Sequence, residues 1–262
     1  MADRDGFWLL VAVLGALALW GLYYRRLWAL ARLRVSKQAY LLLFCAPLFC
    51  LALVIYLLSR FAASDVRPSP GYLVFYVALG ALVVGVATRL TLWLGVSARD
   101  DGLERGNAAA AWTMTGAMIA LTLCYLGGNF GEGPGWHVVL FSAVLAIGGL
   151  FAAWGLVELL GGISEAITVD RDLGTGIHMA GFLTACGMIL GRAVAGNWVS
   201  VPATFHDFIS VGWPVLFWVG AEALMGAQGR WAKTQAPPAL GILIALLHVT
   251  TSAYYVVTRG WW

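Results

Sequence analysis

Charge is what this chain has least of. Aspartate, glutamate, lysine and arginine together make up 11% of its 262 residues, where a soluble domain carries about a quarter. No polar stretch is long enough for a second, soluble domain. Cysteine is scarce as well: Cys45, Cys50, Cys124 and Cys186 lie inside apolar runs, without a C-x-x-C pair or a histidine at metal spacing. They are expected to pack as small apolar residues, which excludes a disulfide framework. A basic leader is missing too, since "MADRDGFWLL" puts acids ahead of the first apolar run and offers no small-residue cleavage site; it reads as a retained first helix. "GGNFGEGPGW" lacks the Gly-Lys-Ser/Thr ending of a phosphate loop, and "GTGIHMAG" lacks the strand that precedes a dinucleotide fingerprint. No nucleophile stands beside a base and no zinc motif is present, so catalytic residues and cofactors are not expected.

What fills the chain is apolar. Hydrophobic residues make up 61% and the mean hydropathy is +0.83. Runs of about 20 residues, enough to cross the hydrocarbon core as helix, fall at 7–24, 39–60, 71–96, 107–127, 137–160, 173–196, 207–226 and 238–257. The fold class is therefore all-α, a polytopic transmembrane bundle forming a single domain over 1–262. Ten basic residues lie in the connections after the odd-numbered spans: Arg25, Arg26, Arg32, Arg34, Lys37, Arg99, Arg105, Arg171, Arg230 and Lys233. Five lie on the other side: Arg4, Arg60, Arg67, Arg192 and Arg259. Short cytoplasmic loops retain Lys and Arg, so both termini are expected outside the cytoplasm. Arg25, Arg26, Arg32, Arg34 and Lys37 form a Trp-containing basic tip suited to anionic lipid headgroups. Of thirteen tryptophans, Trp8, Trp136, Trp198, Trp261 and Trp262 fall near outer span ends, and Trp28, Trp93 and Trp231 near inner ones. Most are expected in interfacial belts.

The chain also repeats itself. Trp154 and Glu158 recur 64 residues on as Trp218 and Glu222, and Asn107, Met114, Gly116 and Ala120 recur 65 residues on as Asp172, Met179, Gly181 and Ala185. Four tandem hairpins follow, at about 7–60, 71–127, 137–196 and 207–257. Asn107 and Asp172 sit at matching helix starts and are expected to be N-caps, with Pro237 and Pro238 in the equivalent place. Gly148 with Ala152, Gly181 with Ala185 and Gly187 with Gly191 supply small residues at four-residue spacing, which let membrane helices approach closely.

Polar groups within the spans are the candidate sites. An acid inside an apolar helix is costly enough to require a partner, a water path or a function. Arg89 falls near the level of Glu158 and Glu222, so the expected arrangement is a charge cluster of Arg89, Glu158 and Glu222, foremost a structural ion pair. Pro214 is placed to bend span seven toward the shared interior, although no broken helix of the transporter kind is evident. A bis-histidine haem or metal site from His178 and His248 is disfavoured, because their depths differ by roughly 7 Å on straight helices. No metal is expected.

The segments "ERGNAAAAWTMTGAMIALTL" and "ITVDRDLGTGIHMAGFLTACGMIL" resemble the tandem two-helix unit of the YjfL-like bacterial inner-membrane proteins, a family of unknown function (DUF350). The resemblance covers about 71–196 well and reaches 226 more weakly; Asp172 stands where the family pattern has Asn, and Gly174 and Gly176 where it has alanines. It implies a bacterial inner-membrane location and a part in envelope homeostasis, and brings no catalytic residues or cofactor. The expected function is a non-enzymatic scaffold or sensor, with a small-ion or proton transporter or channel as the alternative. Its expected partners are membrane lipids, and other membrane proteins or further copies of the chain, not nucleic acid.

Overall fold

The computed structural model describes residues 3–31, 36–227 and 237–260. Among the described residues ten α-helices follow one another: α1 (Asp3–Ala31), α2 (Lys37–Phe61), α3 (Pro70–Leu90), α4 (Ala108–Gly127), α5 (Trp136–Gly161), α6 (Ile163–Thr168), α7 (Leu173–Ala193), α8 (Val201–Gly212), α9 (Pro214–Ala227) and α10 (Pro238–Thr258). Between α3 and α4 the chain makes a 3-10 turn, Thr91–Leu94, and a wider π-type turn, Ala98–Glu104. Among the described residues seven helices are long and apolar enough to cross a membrane, and α8 with α9 are so as a pair, bent by 46°. Among the described residues no strand forms; a lone bridge pairs Ala62 with Phe130.

Polar residues at the helix starts set the boundaries. The side chains of Ser36, Ser69 and Ser200 accept the N–H groups of Ala39, Tyr72 and Ala203. Asn107 Oδ1 accepts from Ala109 and Ala110, and Asp172 Oδ1 from Gly174. Each satisfies donors that the first helical turn leaves open. α10 begins with Pro237 at the cap position and Pro238 at the first helical position, where the missing N–H costs nothing.

Residues 65 apart share backbone detail at two helix starts. Asn107 N–H bonds the Asp101 carbonyl, and Asp172 N–H bonds the Ala166 carbonyl. The residue before each cap takes a left-handed conformation, Gly106 at φ 60° and Arg171 at φ 55°. Helix packing repeats the same way. A Cβ on Gly116 would strike the Ala180 backbone, and one on Gly181 would strike Ala245; Gly176 abuts Ala109, and Gly241 abuts Gly174. In both pairs residue numbers rise together along the two helices, so α4, α7 and α10 run parallel. Small residues bring their backbones into contact, which gives the dispersion and close fit that hold helices together where lipid removes the hydrophobic drive.

α2, α4, α7 and α10 thus form an inner row, with α3 packed across α2 and α4, α5 across α4 and α7, and α8–α9 against α7 and α5. α4 and α7 are the most enclosed, 78% of each helix's most apolar window being buried against 11% for α1. The loops at the ends of α4 and α7 are stitched together: Gly196 N–H donates to the Phe130 carbonyl at 2.7 Å and Glu132 N–H to Asn197 Oδ1 at 2.8 Å.

Candidate functional site

The bend in the fourth hairpin builds the site. Pro214 has no N–H to continue the helical ladder and its ring obstructs the preceding turn, so α8 ends at Gly212 and α9 departs at 46°. The bend expected at Pro214 is present, and it goes as far as a break between two helices, which the sequence did not make evident. Eight residues after the proline, α9 inserts Glu222 against α7 and α10, where it is 0% exposed.

Two histidines meet it. His178 Nε2 lies 2.7 Å from Glu222 Oε1 and His248 Nε2 lies 3.4 Å from the same oxygen. The imidazole rings stack at 5.3 Å between centroids and 11° between planes, and each histidine is 2% exposed. The depth difference expected for His178 and His248 does not keep them apart. α7 and α10 meet backbone to backbone at Gly174, Gly241, Gly181 and Ala245, where no bulky side chain separates them, and the two long side chains reach across what remains of the difference in depth. Trp218 packs edge-on to His248 at 4.4 Å and donates its indole N–H to Ser252 Oγ at 3.2 Å. Phe182 closes another side.

Glu222 Oε2 and His248 Nδ1 are buried without a hydrogen-bond partner. A bare carboxylate at this depth costs several kcal/mol, and the ion-pair partners of Glu222 among the described residues are the two imidazoles. The centre is therefore built to share a cation, either a proton between carboxylate and imidazole or a metal ion held by two imidazole nitrogens and a carboxylate oxygen. The three ligand atoms all lie within 4.8 Å of one another. Ligands at about 2.0–2.2 Å from a tetrahedral ion stand about 3.4 Å apart, so a small movement of His178 completes the geometry. A cavity of about 190 Å³ at the helix break is lined by Trp213, Pro214, Phe217, Trp218 and Ser252, and Trp218 stands between it and His248.

The fold does not need these charges. One repeat earlier, the positions equivalent to His178, Glu222 and His248 are Thr113, Val157 and Leu183, each 0% exposed. Thr113 caps nothing ionic; its hydroxyl donates to carbonyls at Ala109 and Gly176. The same junction between hairpins is closed in one place by an uncharged set and in the other by an acid and two histidines.

The expected cluster of Arg89, Glu158 and Glu222 does not form. The 64-residue rhyme is one residue out of step with the fold: the buried face Leu150, Trp154 and Val157 of α5 recurs as Val215, Val219 and Glu222. One residue turns a helix by about 100°, so Glu158 leaves that face and its carboxylate accepts from Ser164 N–H at 2.8 Å and Ser164 Oγ–H at 2.6 Å. Arg89 is exposed and donates to the Leu19 carbonyl at 3.3 Å. Of the basic-tip residues, Arg25 and Arg26 are exposed near the end of α1 and Lys37 opens α2, whereas Arg32 and Arg34 lie outside the described residues, as do Arg230, Trp231, Lys233, Trp261 and Trp262.

Among the described residues, seven helices long and apolar enough to cross a membrane, as many as eight with the bent pair α8–α9, packed in one helical array define a multi-pass membrane protein. No family model, curated protein or solved structure matches the chain.

Proposed function

We propose that this chain is a non-enzymatic membrane protein that holds a divalent first-row transition-metal ion within its last two hairpins, through His178, Glu222 and His248. The observation that carries this reading is the substitution of an ionic set for the uncharged set Thr113, Val157 and Leu183 at an otherwise equivalent junction. Two neutral imidazoles and one carboxylate suit zinc, iron, cobalt or manganese, and the unpartnered Glu222 Oε2 is placed to make the carboxylate bidentate. Metal occupancy that clamps α7, α9 and α10 gives such a protein a sensing role rather than a catalytic one. The resemblance of 71–196 to the YjfL-like proteins supports a bacterial inner membrane, and the basic connections support a topology with both termini outside.

The protein is purified in detergent, stripped with chelator and titrated with Co²⁺, whose visible bands report its ligands. One equivalent with nitrogen–oxygen ligation, abolished in Glu222→Gln and in His248→Leu, is the expected result. Absence of saturable binding to folded wild-type protein refutes it. A second reading, a proton held between His178 and Glu222, draws on their 2.7 Å separation and on His248 Nδ1, which lacks the partner that metal-bound histidines usually have. It predicts no metal uptake, and an infrared band of a carboxyl group hydrogen-bonded to imidazole that disappears in Glu222→Gln.

A further inference from the structure

The charged cluster that the fold dissolved leaves Arg89 without an ion-pair role, and its surroundings supply another. A cavity of about 310 Å³ opens between α1, the end of α3 and the π-type turn, lined by Arg26, Arg89, Arg99, Ser97, Leu22 and Leu92 among others. It lies at the end of the bundle that carries the basic connections, far along the chain from the histidine centre. Three guanidiniums face one lining carboxylate, Asp100. Arg99 is partly neutralised, at 2.8 Å from Glu104 and 3.5 Å from Asp100. Arg89 spends one donor on the Leu19 carbonyl at 3.3 Å, which leaves the rest of a five-donor fork, and Arg26 lies exposed on the next face of α1. The lining is also half apolar: Leu22 is 45% and Leu92 60% exposed, and neighbouring Trp93 is 79% exposed, as suits a ring at headgroup level.

We infer that this cavity binds the phosphate group of an anionic membrane lipid, with Arg26 and Arg89 as its principal ligands and Leu22 and Leu92 against the glycerol and first acyl carbons. Guanidinium forks match phosphate oxygens in pairs. Basic pockets between spans at the inner surface hold such headgroups, and apolar walls beside the charges favour a lipid over free phosphate. The basic tip contributes Arg26 to this site in particular rather than acting only as a diffuse charge.

The test uses the full chain in neutral detergent, with thermal unfolding followed against added phosphatidylglycerol, phosphatidylcholine or inorganic phosphate. Wild type is expected to gain a saturable shift from phosphatidylglycerol alone. Arg26→Gln and Arg89→Gln are each expected to weaken apparent affinity roughly fivefold. Arg105→Gln, which removes an arginine at the same end that pairs with Asp101 instead, is expected to leave the affinity unchanged. Should Arg89→Gln fail to fold, Arg26→Gln alone decides, because Arg26 is exposed and holds no helix in place. Equal loss in Arg105→Gln, or no loss in Arg26→Gln, overturns the site in favour of general charge attraction. A full shift from inorganic phosphate overturns the lipid as ligand.

Discussion

The polar centre can be replaced by what the fold itself uses elsewhere. In the triple variant His178→Thr, Glu222→Val, His248→Leu the last junction receives the residues found one repeat earlier, all of them 0% exposed there. The flanking backbone contacts, Gly181 with Ala245 and Gly241 with Gly174, mirror Gly116 with Ala180 and Gly176 with Ala109, so the incoming side chains enter a space of known packing. Exchanging a buried ionic set for well-packed apolar residues is neutral or stabilising by about 1–4 kcal/mol. Single changes act in the other direction. His178→Leu takes away the 2.7 Å partner of a carboxylate that is 0% exposed and leaves it only His248 at 3.4 Å; removing one partner of a buried pair costs about 3–5 kcal/mol. Glu222→Val leaves two neutral imidazoles short of a hydrogen-bond partner, which costs roughly 1–3 kcal/mol. Unfolding in chelator-treated detergent, by heat or by titration with a denaturing detergent, therefore ranks the triple variant at or above wild type and both single variants below it. A triple variant less stable than His178→Leu would refute the reasoning, because the polar centre would then be a requirement of the fold rather than an addition to it.

Three further outcomes follow from the packing. Gly181→Val is expected to cost at least 3 kcal/mol or to abolish folding, since its Cβ meets the Ala245 backbone, whereas Gly148→Ala, with nothing within 4 Å, is expected to stay within about 0.5 kcal/mol of wild type in the same unfolding assay. Arg171→Gly relieves a left-handed arginine at φ 55° and is expected to be neutral within about 0.5 kcal/mol, while Gly106→Val forces a β-branched residue into the matching conformation and costs roughly 1–3 kcal/mol; equal effects would sever the equivalence of the two loops. Trp218→Phe keeps a ring against His248 but loses the bond to Ser252, so stopped-flow Co²⁺ uptake and release are both expected to accelerate with little change in their ratio. Unaltered rates would show that the metal does not pass the tryptophan.

The architecture was legible because it rests on local signals. Apolar runs, the cap residues Asn107 and Asp172 and the glycines of the inner row all act within a turn of where they stand, and a 65-residue step makes each visible twice. The site was not legible for two physical reasons. Assigning Glu158 and Glu222 to one position slips the register by a residue, and about 100° of rotation separates a half-buried helix-end acid held by Ser164 from a fully buried one. Depth along straight helices misplaces His178 and His248, because how closely two backbones approach is a property of the packed pair. The 65-residue step, applied to α5 and α9, pairs Val157 with Glu222 and contains the missing signal: an acid replacing a valine on a face that is otherwise apolar.

That substitution does not stand alone, and its company is the strongest argument that the last junction has a task. Between the two junctions Thr113, Val157 and Leu183 become His178, Glu222 and His248, Ala153 becomes Trp218, and Gly187 becomes Ser252. Every one of the five is in or against a single layer of the bundle: the ligand set, the ring that covers it and the hydroxyl that holds the ring. Gly149 becomes Pro214 in the same hairpin, and the helix breaks where the neighbouring cavity forms. Drift between repeats that were free to vary would scatter polar residues over the lipid-facing surface, where the exposed positions are instead filled by residues such as Leu216, Phe217 and Leu224. Burial of an acid and two histidines is costly at any one position, and their convergence on a common point offsets that cost only when a cation joins them.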